Sequence, residues 1–524
     1  MPDYMYMLES RLSAEQRAAM LRVQKLAAET GLNVYLTGGA VRDLISGMPI
    51  FDLDFTVEGN PARLAQELEK SGARIVSEEE KQRHIEMLFA GDVDGSLAAA
   101  RDDVYARPGT RPEIRWATIM EDLHRRDFSL NAIAISLNPA SRGLLLDPTN
   151  GLADLENREV RGLSIHTFSN QPVRLLRAVR YAARMEFKLE SRTAEWFALA
   201  VERQLVEAIP PADIGQELRQ AAREDKPGAV LKAWEAQGLI GTIHPQLERR
   251  HPDYERLARI LRARDELAVS GVRARVSAPV TFAVLRKLTP RERAATLARL
   301  EYRTAEINAV LQIEEEAQKM VKMLTGRKTA SADAAFAYLE KTPPDVLVYA
   351  MAEASNPKAM NKIRNYLSKW RPLSQALVGV ANELELLGMA RGPKFDKVVA
   401  DFFQLQLLGR ARAPEDRVKI LRKLSGLKEP KKLEEKKPDE KLKKKLMGKK
   451  GSAPPAAAAE TSKPGKTRGA QAAPASAAAP AARRSEEKTK KAAPPHATAK
   501  SAPSHSPSHA KSSGKPGGKS RAKR

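Results

Sequence analysis

The 524-residue chain contains no cysteine. Disulfides, zinc-thiolate sites, iron–sulfur clusters and a thiol nucleophile are therefore excluded. The sequence also lacks any run of about 18 apolar residues, and its first residues lack the basic-then-apolar pattern of a secretory signal. Its hydrophobic fraction is 42%, which is enough to build cores over much of the length. We therefore expect a multidomain protein of the reducing cytoplasm with no membrane partner.

The net charge of +24 is concentrated at the C-terminal end of the chain. Residues 428–524 hold 26 Lys and Arg against 8 Asp and Glu, and they contain no aromatic residue. A segment made mostly of Lys, Ala, Pro, Ser and Gly cannot bury enough apolar surface to offset chain entropy, so we predict that it is disordered, although 431–450 could form a charged helix. It is either a solubilising appendage or a non-specific RNA tether.

The rest of the chain changes character once. Residues 33–165 mix short β-branched or aromatic runs with helical stretches, which predicts an α/β or α+β domain. From Pro172 to about Gly426 the helical period dominates, for example at Ile214, Leu218 and Ala222. The sequence therefore predicts a mixed N-terminal domain, an all-α middle and a disordered basic end.

A double-glycine turn is the first candidate functional element. Residues 34–37 read as a strand that runs straight into Gly38 and Gly39, and Arg42 lies one turn into the helix that follows. Glycines at such a junction let backbone N–H groups approach a phosphate closely, and a helix N-terminus favours negative charge. Alone, however, this pattern is also typical of an ordinary tight turn.

Two carboxylates follow this turn closely. The segment 51–57 is predicted to be a strand, which puts Asp52 and Asp54 on one face. Two like charges this close are costly unless a cation lies between them. Oxygen-only ligands suit a hard divalent ion, so the pair predicts a Mg²⁺ site in which triphosphate oxygens complete the shell.

A predicted helix after Pro172 carries arginines along one arc. They are Arg174, Arg177, Arg180 and Arg184, and apolar residues fill the opposite arc. Such a row can donate hydrogen bonds to phosphates or base edges, and it could equally be a solvated basic face.

Four ordered blocks resemble the nucleotidyltransferases of the class II CCA-adding and bacterial poly(A) polymerase family. The blocks are 36–57, 121–132 (ending Arg-Arg-Asp-Phe-Ser-Leu-Asn-Ala), 147–161 and 174–183. The resemblance implies a nucleotidyltransferase head domain at 1–165, a helical neck with the nucleotide-recognition helix at 166–245, and a helical body and tail that bind RNA at 246–427. The basic segment 428–524 would follow them.

The resemblance also implies a role for each matching residue. Asp52 and Asp54 would bind two Mg²⁺ ions and be catalytic. The triphosphate would be held by Gly39 and Arg42, and Arg126 would also contact the nucleotide. Arg177 and Arg180 would line the same pocket, and Arg174 would read a base edge. In this family protein side chains, rather than a template, select the incoming base.

Three departures from the family pattern stand out. Asn170 and Gln171 replace the usual Glu-Asp, so Arg174 lacks its usual carboxylate partner. The Gln171 amide could turn round and donate to uracil O4 or guanine O6, which predicts relaxed base choice. A third strand carboxylate is either Asp94 or absent, because the matching position falls near Ser96. No His-Asp phosphohydrolase signature follows, and we interpret the histidines outside the tail as structural.

We predict a template-independent RNA nucleotidyltransferase that adds or repairs the 3′-terminal CCA of tRNA from CTP and ATP. A poly(A) polymerase, or an enzyme that adds only CC or only A, would use the same blocks. A degenerate member that merely binds RNA is the alternative from a different class. The intact Asp52, Asp54, Arg42 and Arg126 argue against it.

Overall fold

The protein is described by a computed structural model that covers residues 3–107, 110, 112–353, 356–411 and 414–427. The predicted disordered segment 428–524, including the possible helix at 431–450, lies outside these residues. The predicted domain boundaries near 165 and 245 remain predictions.

The N-terminal part contains a mixed seven-stranded sheet with the strand order β3-β4-β5-β2-β1-β8-β9. At its centre β2 pairs antiparallel with β1 and parallel with β5. Two further pairs, β6 with β7 and β10 with β11, stand apart from this sheet. The strands are β1 Asn33–Thr37, β2 Leu53–Glu58, β3 Arg74–Glu79, β4 His84–Phe89, β5 Val93–Ala99, β6 Arg101–Val104, β7 Glu113–Trp116, β8 Ala134–Ser136, β9 Leu145–Leu146, β10 Glu159–Val160 and β11 Lys188–Leu189.

Helices flank the sheet and make up most of the described chain after it. The α-helices are α1 Tyr4–Arg11, α2 Ala14–Thr30, α3 Gly39–Ile45, α4 Pro61–Lys70, α5 Ile119–His124, α6 Gly151–Asn157, α7 Thr167–Asn170, α8 Arg174–Met185, α9 Ser191–Glu202, α10 Pro211–Arg223, α11 Pro227–Ala236, α12 Leu247–Arg250, α13 Tyr254–Val269, α14 Ser277–Leu285, α15 Pro290–Arg299, α16 Thr304–Thr325, α17 Ala332–Glu340, α18 Pro344–Glu353, α19 Pro357–Asn365, α20 Arg371–Gln375, α21 Leu377–Leu386, α22 Pro393–Leu407 and α23 Pro414–Ser425. The predicted fold class, a mixed α/β domain followed by an all-helical region, is confirmed.

Alternation along β2 separates the core from the site. Leu53, Phe55 and Val57 are buried in the core beneath the sheet. Because successive strand residues point to opposite faces, Asp54 and Thr56 lie on the other face. The strand thus buries one row of side chains and presents the other to the candidate site.

Helix α10 joins the candidate site to the helical region behind it. Its residues Ile214, Leu218 and Ala222 are buried, which confirms the predicted apolar face. On the same helix Gly215 lies against the backbone at the end of α15, where an added Cβ would stand only 2.0 Å from the carbonyl oxygen of Leu300. No side chain fits there, so this glycine permits the close approach of the two elements.

Two expectations differ from the structure in detail. The strand expected at 51–57 begins at Leu53, so Asp52 lies one residue ahead of it. Within the region predicted to be all-helical, α15 begins at a capping box on Thr289, and α16 begins where the backbone N–H of Arg303 donates to Oε2 of Glu306 at 2.9 Å. The short parallel pair β10–β11 lies partly inside the region predicted to be all-helical. Across the described ranges, no helix is long and apolar enough to cross a membrane.

Candidate active site

The double-glycine turn lies against both the acidic and the basic residues of the candidate site. Gly38 has φ 65° and ψ −128°, a conformation that favours glycine, and Gly39 begins α3. A Cβ added at Gly38 would stand 3.4 Å from Nη1 of Arg126 and 3.9 Å from Oδ2 of Asp54. One added at Gly39 would stand 3.5 Å from Nη2 of Arg42. The backbone of the turn therefore lies close to Asp54, Arg42 and Arg126, which the sequence analysis assigned to one site.

The two carboxylates reach the site from different local structures. Asp54 lies within β2, whereas Asp52 lies in the coil just before it, so the predicted same-face strand geometry does not apply to Asp52. Burial, followed by the nearby Asp54 charge, raises the pKa of Asp52. Burial also raises the pKa of Asp54, although Ser96 and Arg126 oppose this shift. Concentrated negative charge of this kind is stabilised by a cation, so the oxygen donors fit a hard divalent ion.

The position on β5 that matches the third carboxylate is a hydroxyl, and Asp94 contacts a different residue. Ser96 lies beside Asp54 in the β2–β5 register and donates from Oγ to Asp54 Oδ1 at 2.7 Å. Asp94 instead forms an ion pair with Arg275, with 3.0 Å between Oδ2 and Nη2. Across the described parts of the chain, no group of three or more His, Cys, Asp or Glu residues is placed to hold a metal ion. At this site the described chain therefore offers two carboxylates, of which Asp54 accepts a hydrogen bond from Ser96.

Arg42 is buried beside these carboxylates. Its Nε contacts Oδ1 of Asp43 at 2.9 Å, and its Nη1 donates to Oδ1 of Asn131 at 2.8 Å. The guanidinium also stacks over the ring of Tyr181 at 5.0 Å. Its charge lowers the pKa of Asp52, which opposes the larger effect of burial. Arg42 is thus fixed close to the carboxylates.

Arg126 is held next to the turn by several partners. Its Nη2 contacts Oδ2 of Asp122 at 2.8 Å and Oγ1 of Thr56 at 3.0 Å, and its Nη1 donates to the carbonyl of Asn131 at 3.1 Å. Asp122, the acid that pairs with Arg126, is fully buried. A planar guanidinium held in this way is already oriented towards the site.

The predicted row of arginines exists, but acidic residues face it. Glu217 of α10 is 1% exposed and accepts from Nε of Arg177 at 2.8 Å and from Nε of Arg180 at 2.9 Å. Arg177 also donates to Oδ2 of Asp127 at 3.0 Å. Burial would raise the pKa of Glu217, but Arg180 and Arg177 bring it below its ordinary value. The solvated basic face considered from the sequence is wrong for these arginines.

The same pairing continues along the row. Glu224 accepts from Nη1 of Arg180 at 2.8 Å and lies 3.2 Å from Nε of Arg184. Arg184 also donates to Oδ2 of Asp43 at 2.7 Å. Sequence reasoning did not assign Glu217 and Glu224 to the site. The sequence signal that could have found them is their spacing: Glu217 and Glu224 are seven residues, about two helical turns, apart, next to the apolar face of α10.

Gln171 occupies the place expected beside Arg174. Its Oε1 accepts from Nε of Arg174 at 3.1 Å, and its Nε2 donates to the hydroxyl of Tyr105. Arg174 is 7% exposed, and its Nη2 donates to the carbonyl of Arg125 at 3.3 Å. The amide therefore faces Arg174 with its acceptor, in the orientation opposite to the turned one considered from the sequence.

A carboxylate pair at a strand, a double-glycine turn and fixed arginines beside it define a nucleotidyltransferase head domain. Residues 34–161 match the family described as "Poly A polymerase head domain". Residues 34–161 thus form a nucleotidyltransferase head domain of this kind, and the chain is similar to tRNA nucleotidyltransferases and CCA proteins.

Three relatives illustrate how far the similarity extends. The A-adding tRNA nucleotidyltransferase of Halalkalibacterium halodurans is 29% identical over 435 residues, 81% of this chain and 96% of the relative. The protein of the same name from Aquifex aeolicus is 39% identical over 214 residues, 40% of this chain and 26% of the relative. The Multifunctional CCA protein of Thioalkalivibrio sulfidiphilus is 34% identical over 225 residues, 42% of this chain and 52% of the relative. The chain thus spans nearly all of the first relative, about a quarter of the second and about half of the third.

Proposed function

We propose that the protein adds or repairs the 3′-terminal CCA of tRNA, transferring nucleotides from CTP and ATP and releasing pyrophosphate. The observation that carries this proposal is the cluster of Asp52 and Asp54 beside the Gly38–Gly39 turn, with Arg42 and Arg126 fixed around it. The names of the relatives support tRNA as the acceptor.

Asp52 and Asp54 are the catalytic residues of the proposed reaction and the residues that would hold Mg²⁺. When bound, the metal supplies positive charge at the α-phosphate and favours ionisation of the attacking 3′-hydroxyl. The hydrogen bond from Ser96 fixes one oxygen of Asp54, so its second oxygen remains for that role.

The nucleotide would lie between the turn and α8. Backbone at Gly39, together with Arg42 and Arg126, would hold the triphosphate. Arg177 and Arg180 would line the pocket with the donors that Glu217, Asp127 and Glu224 leave free. Their acidic partners fix these guanidinium groups before a nucleotide arrives, which lowers the ordering cost of binding.

Arg174 and Gln171 would choose the base. Arg174 offers donors to a ring nitrogen, and Gln171 offers a carbonyl oxygen to an exocyclic amine. Adenine and cytosine present that amine, whereas guanine and uracil present a carbonyl oxygen at the same edge position. This pairing supports the use of ATP and CTP.

Addition of the terminal A alone is a second candidate. The relative matched over 96% of its own length is named A-adding, and two others carry the same name. Poly(A) synthesis on unstructured RNA and addition of CC alone are the remaining outcomes. In each case the proposed location is the cytoplasm, where tRNA and nucleoside triphosphates occur together.

One experiment separates these activities. The purified protein with Mg²⁺ is offered labelled CTP or ATP and tRNA ending at the discriminator base, at C or at CC, with unstructured RNA as a fourth acceptor. CCA synthesis predicts growth of all three tRNAs. Activity with ATP on the CC-ended tRNA alone indicates A addition, and long tails on unstructured RNA indicate a poly(A) polymerase. Binding of tRNA without any transfer would overturn the proposal.

A further inference from the structure

Three side chains from distant parts of the chain form a connected row beside the proposed base-reading position. Tyr105 follows strand β6, Gln171 follows α7 and Arg174 begins α8. The Tyr105 hydroxyl accepts from Nε2 of Gln171, whose Oε1 accepts from Nε of Arg174. Gln171 thus has a partner at each end of its amide.

The chemistry of these groups fixes the direction of the amide. A guanidinium has no acceptor, so Nε of Arg174 requires the carbonyl oxygen of Gln171. An amide turned round would bring two donors together and leave both unsatisfied. With its oxygen towards Arg174, the amide sends its NH₂ group to Tyr105.

A neutral amide needs this second partner more than a carboxylate would. An ionised carboxylate beside Arg174 would be held by charge and by two parallel hydrogen bonds. Gln171 makes one hydrogen bond to Arg174, and its flexible side chain loses rotamer freedom when it is held there. The contact with Tyr105 therefore supplies the restraint that charge does not.

We propose that Tyr105 is a positioning residue for base selection, which holds the carbonyl oxygen of Gln171 at the base-reading edge of Arg174. This inference rests on the proposed function. The oxygen keeps a second lone pair for the exocyclic amine of adenine or cytosine, whereas uracil O4 and guanine O6 bring a further acceptor to it. The anchored amide therefore argues against the relaxed base choice that the sequence predicted.

The test removes only the hydroxyl, in two backgrounds. Tyr105→Phe is made in the wild type and in Gln171→Glu, with Tyr35→Phe as a matched control because that hydroxyl contacts Glu58 instead. The dissociation constants of ATP, CTP, GTP and UTP are measured without RNA, and kcat/KM for each nucleotide is measured on tRNA.

In the protein that keeps Gln171, we expect Tyr105→Phe to lower the preference for ATP and CTP over GTP and UTP about tenfold, which corresponds to the free energy of one hydrogen bond. The same change should leave the preference unaltered in Gln171→Glu, since the ionic pair with Arg174 keeps the acceptor in place. Tyr35→Phe should match the wild type.

Unchanged preference in Tyr105→Phe would overturn the positioning role. An equal fall in both backgrounds would also overturn it, because Tyr105 would then act without Gln171. If nucleotides bind with the expected preferences but no tRNA is extended, the proposed reaction fails while the role of Tyr105 stands.

Discussion

At the scale of single residues, Asp52 and Asp54 place two carboxylates in a buried site where ionisation of each is disfavoured. The pKa of each is raised, mainly by burial, and Asp54 adds its charge to Asp52. Asp94 lies on β5, the strand that pairs with β2, but its side chain is half-exposed and forms an ion pair with Arg275. Asp94 is therefore a suitable control for substitutions of Asp52 and Asp54.

We expect Asp52→Ala or Asp54→Ala to lower kcat/KM by about a thousandfold or more, because about 4 kcal/mol of transition-state stabilisation is lost. Affinity for tRNA should change little, since neither residue lies in the helical body. Asp94→Ala should remain within about twofold of the wild type, because its exposed ion pair contributes little. Steady-state kinetics and filter binding measure both quantities. Activity within tenfold of the wild type in either alanine variant of the pair would contradict the assignment.

Asp127 illustrates how a buried acid links the head to α8. Burial would raise its pKa, but Arg177 and Arg174 lower it to about 2, below the ordinary 3.8. The folded carboxylate therefore binds its proton less readily than the unfolded one. Its stabilising effect is present above pH 4 and is lost as the pH falls towards 2.

We expect the wild type to lose about 1 kcal/mol more unfolding free energy between pH 5 and pH 3 than Asp127→Asn does. The variant lacks the titrating group but keeps similar size and a hydrogen-bonding side chain. Urea unfolding at several pH values measures the difference. Parallel curves for the two proteins would show that Asp127 is not the acid responsible.

At the scale of elements, α8 and α10 pack through charge as well as through apolar residues. Periodicity correctly predicted which residues share a face, including Ile214 and Leu218 in the core and the arginines on one arc of α8. It could not predict what lies opposite, because Glu217 meets Arg177 across 40 residues of chain. The alignment of the arginines was therefore predicted correctly, and of the two alternatives left open the solvated basic face is wrong.

The candidate site shows the same division. Strand and turn chemistry correctly predicted that Asp54, Gly38 and Arg42 lie together, because these residues belong to one short, contiguous stretch of chain. The contacts of Arg126 with Thr56 and of Gln171 with Tyr105 depend on the packing of separate elements. Patterns among neighbouring residues do not reveal such contacts between residues far apart in the chain.

We expect Glu217→Gln to lower the unfolding free energy by about 3 kcal/mol, since buried Arg180 and partly buried Arg177 would lose their shared counter-charge. Lys226→Gln is the control, because its ion pair with Glu186 is solvent-exposed and should contribute within about 0.5 kcal/mol. Chemical denaturation provides both values. Equal effects in the two variants would contradict a stabilising role for the buried pairing.

At the scale of the whole molecule, the excess positive charge and the catalytic residues are separated along the chain. Residues 428–524 carry a balance of 26 basic to 8 acidic groups, and the predicted catalytic residues all precede residue 181. Attraction between a polycation and phosphates needs no fold and falls with salt. Catalysis and retention on RNA should thus be separable.

We expect deletion of 428–524 to leave the product sequence unchanged, while RNA binding weakens at low salt and its dependence on salt becomes flatter. A second variant, with the Lys and Arg of this segment replaced by Gln, keeps the length and removes the charge. Both variants should give the same flattened slope in binding titrations. A change of nucleotide choice on truncation would contradict the separation.

The close contact at Gly215 has a genetic consequence. Its nearest neighbours are atoms of Leu300, yet it stands two residues from Glu217 on the same helix. Any larger residue must push α10 away from α15, and the displacement passes directly to the acid that orients Arg177 and Arg180. Position 215 should therefore yield temperature-sensitive alleles: Gly215→Ala would retain the proposed tRNA nucleotidyltransferase activity when cool and lose it when warm, although the residue lies against Leu300 and not among the proposed nucleotide-binding residues.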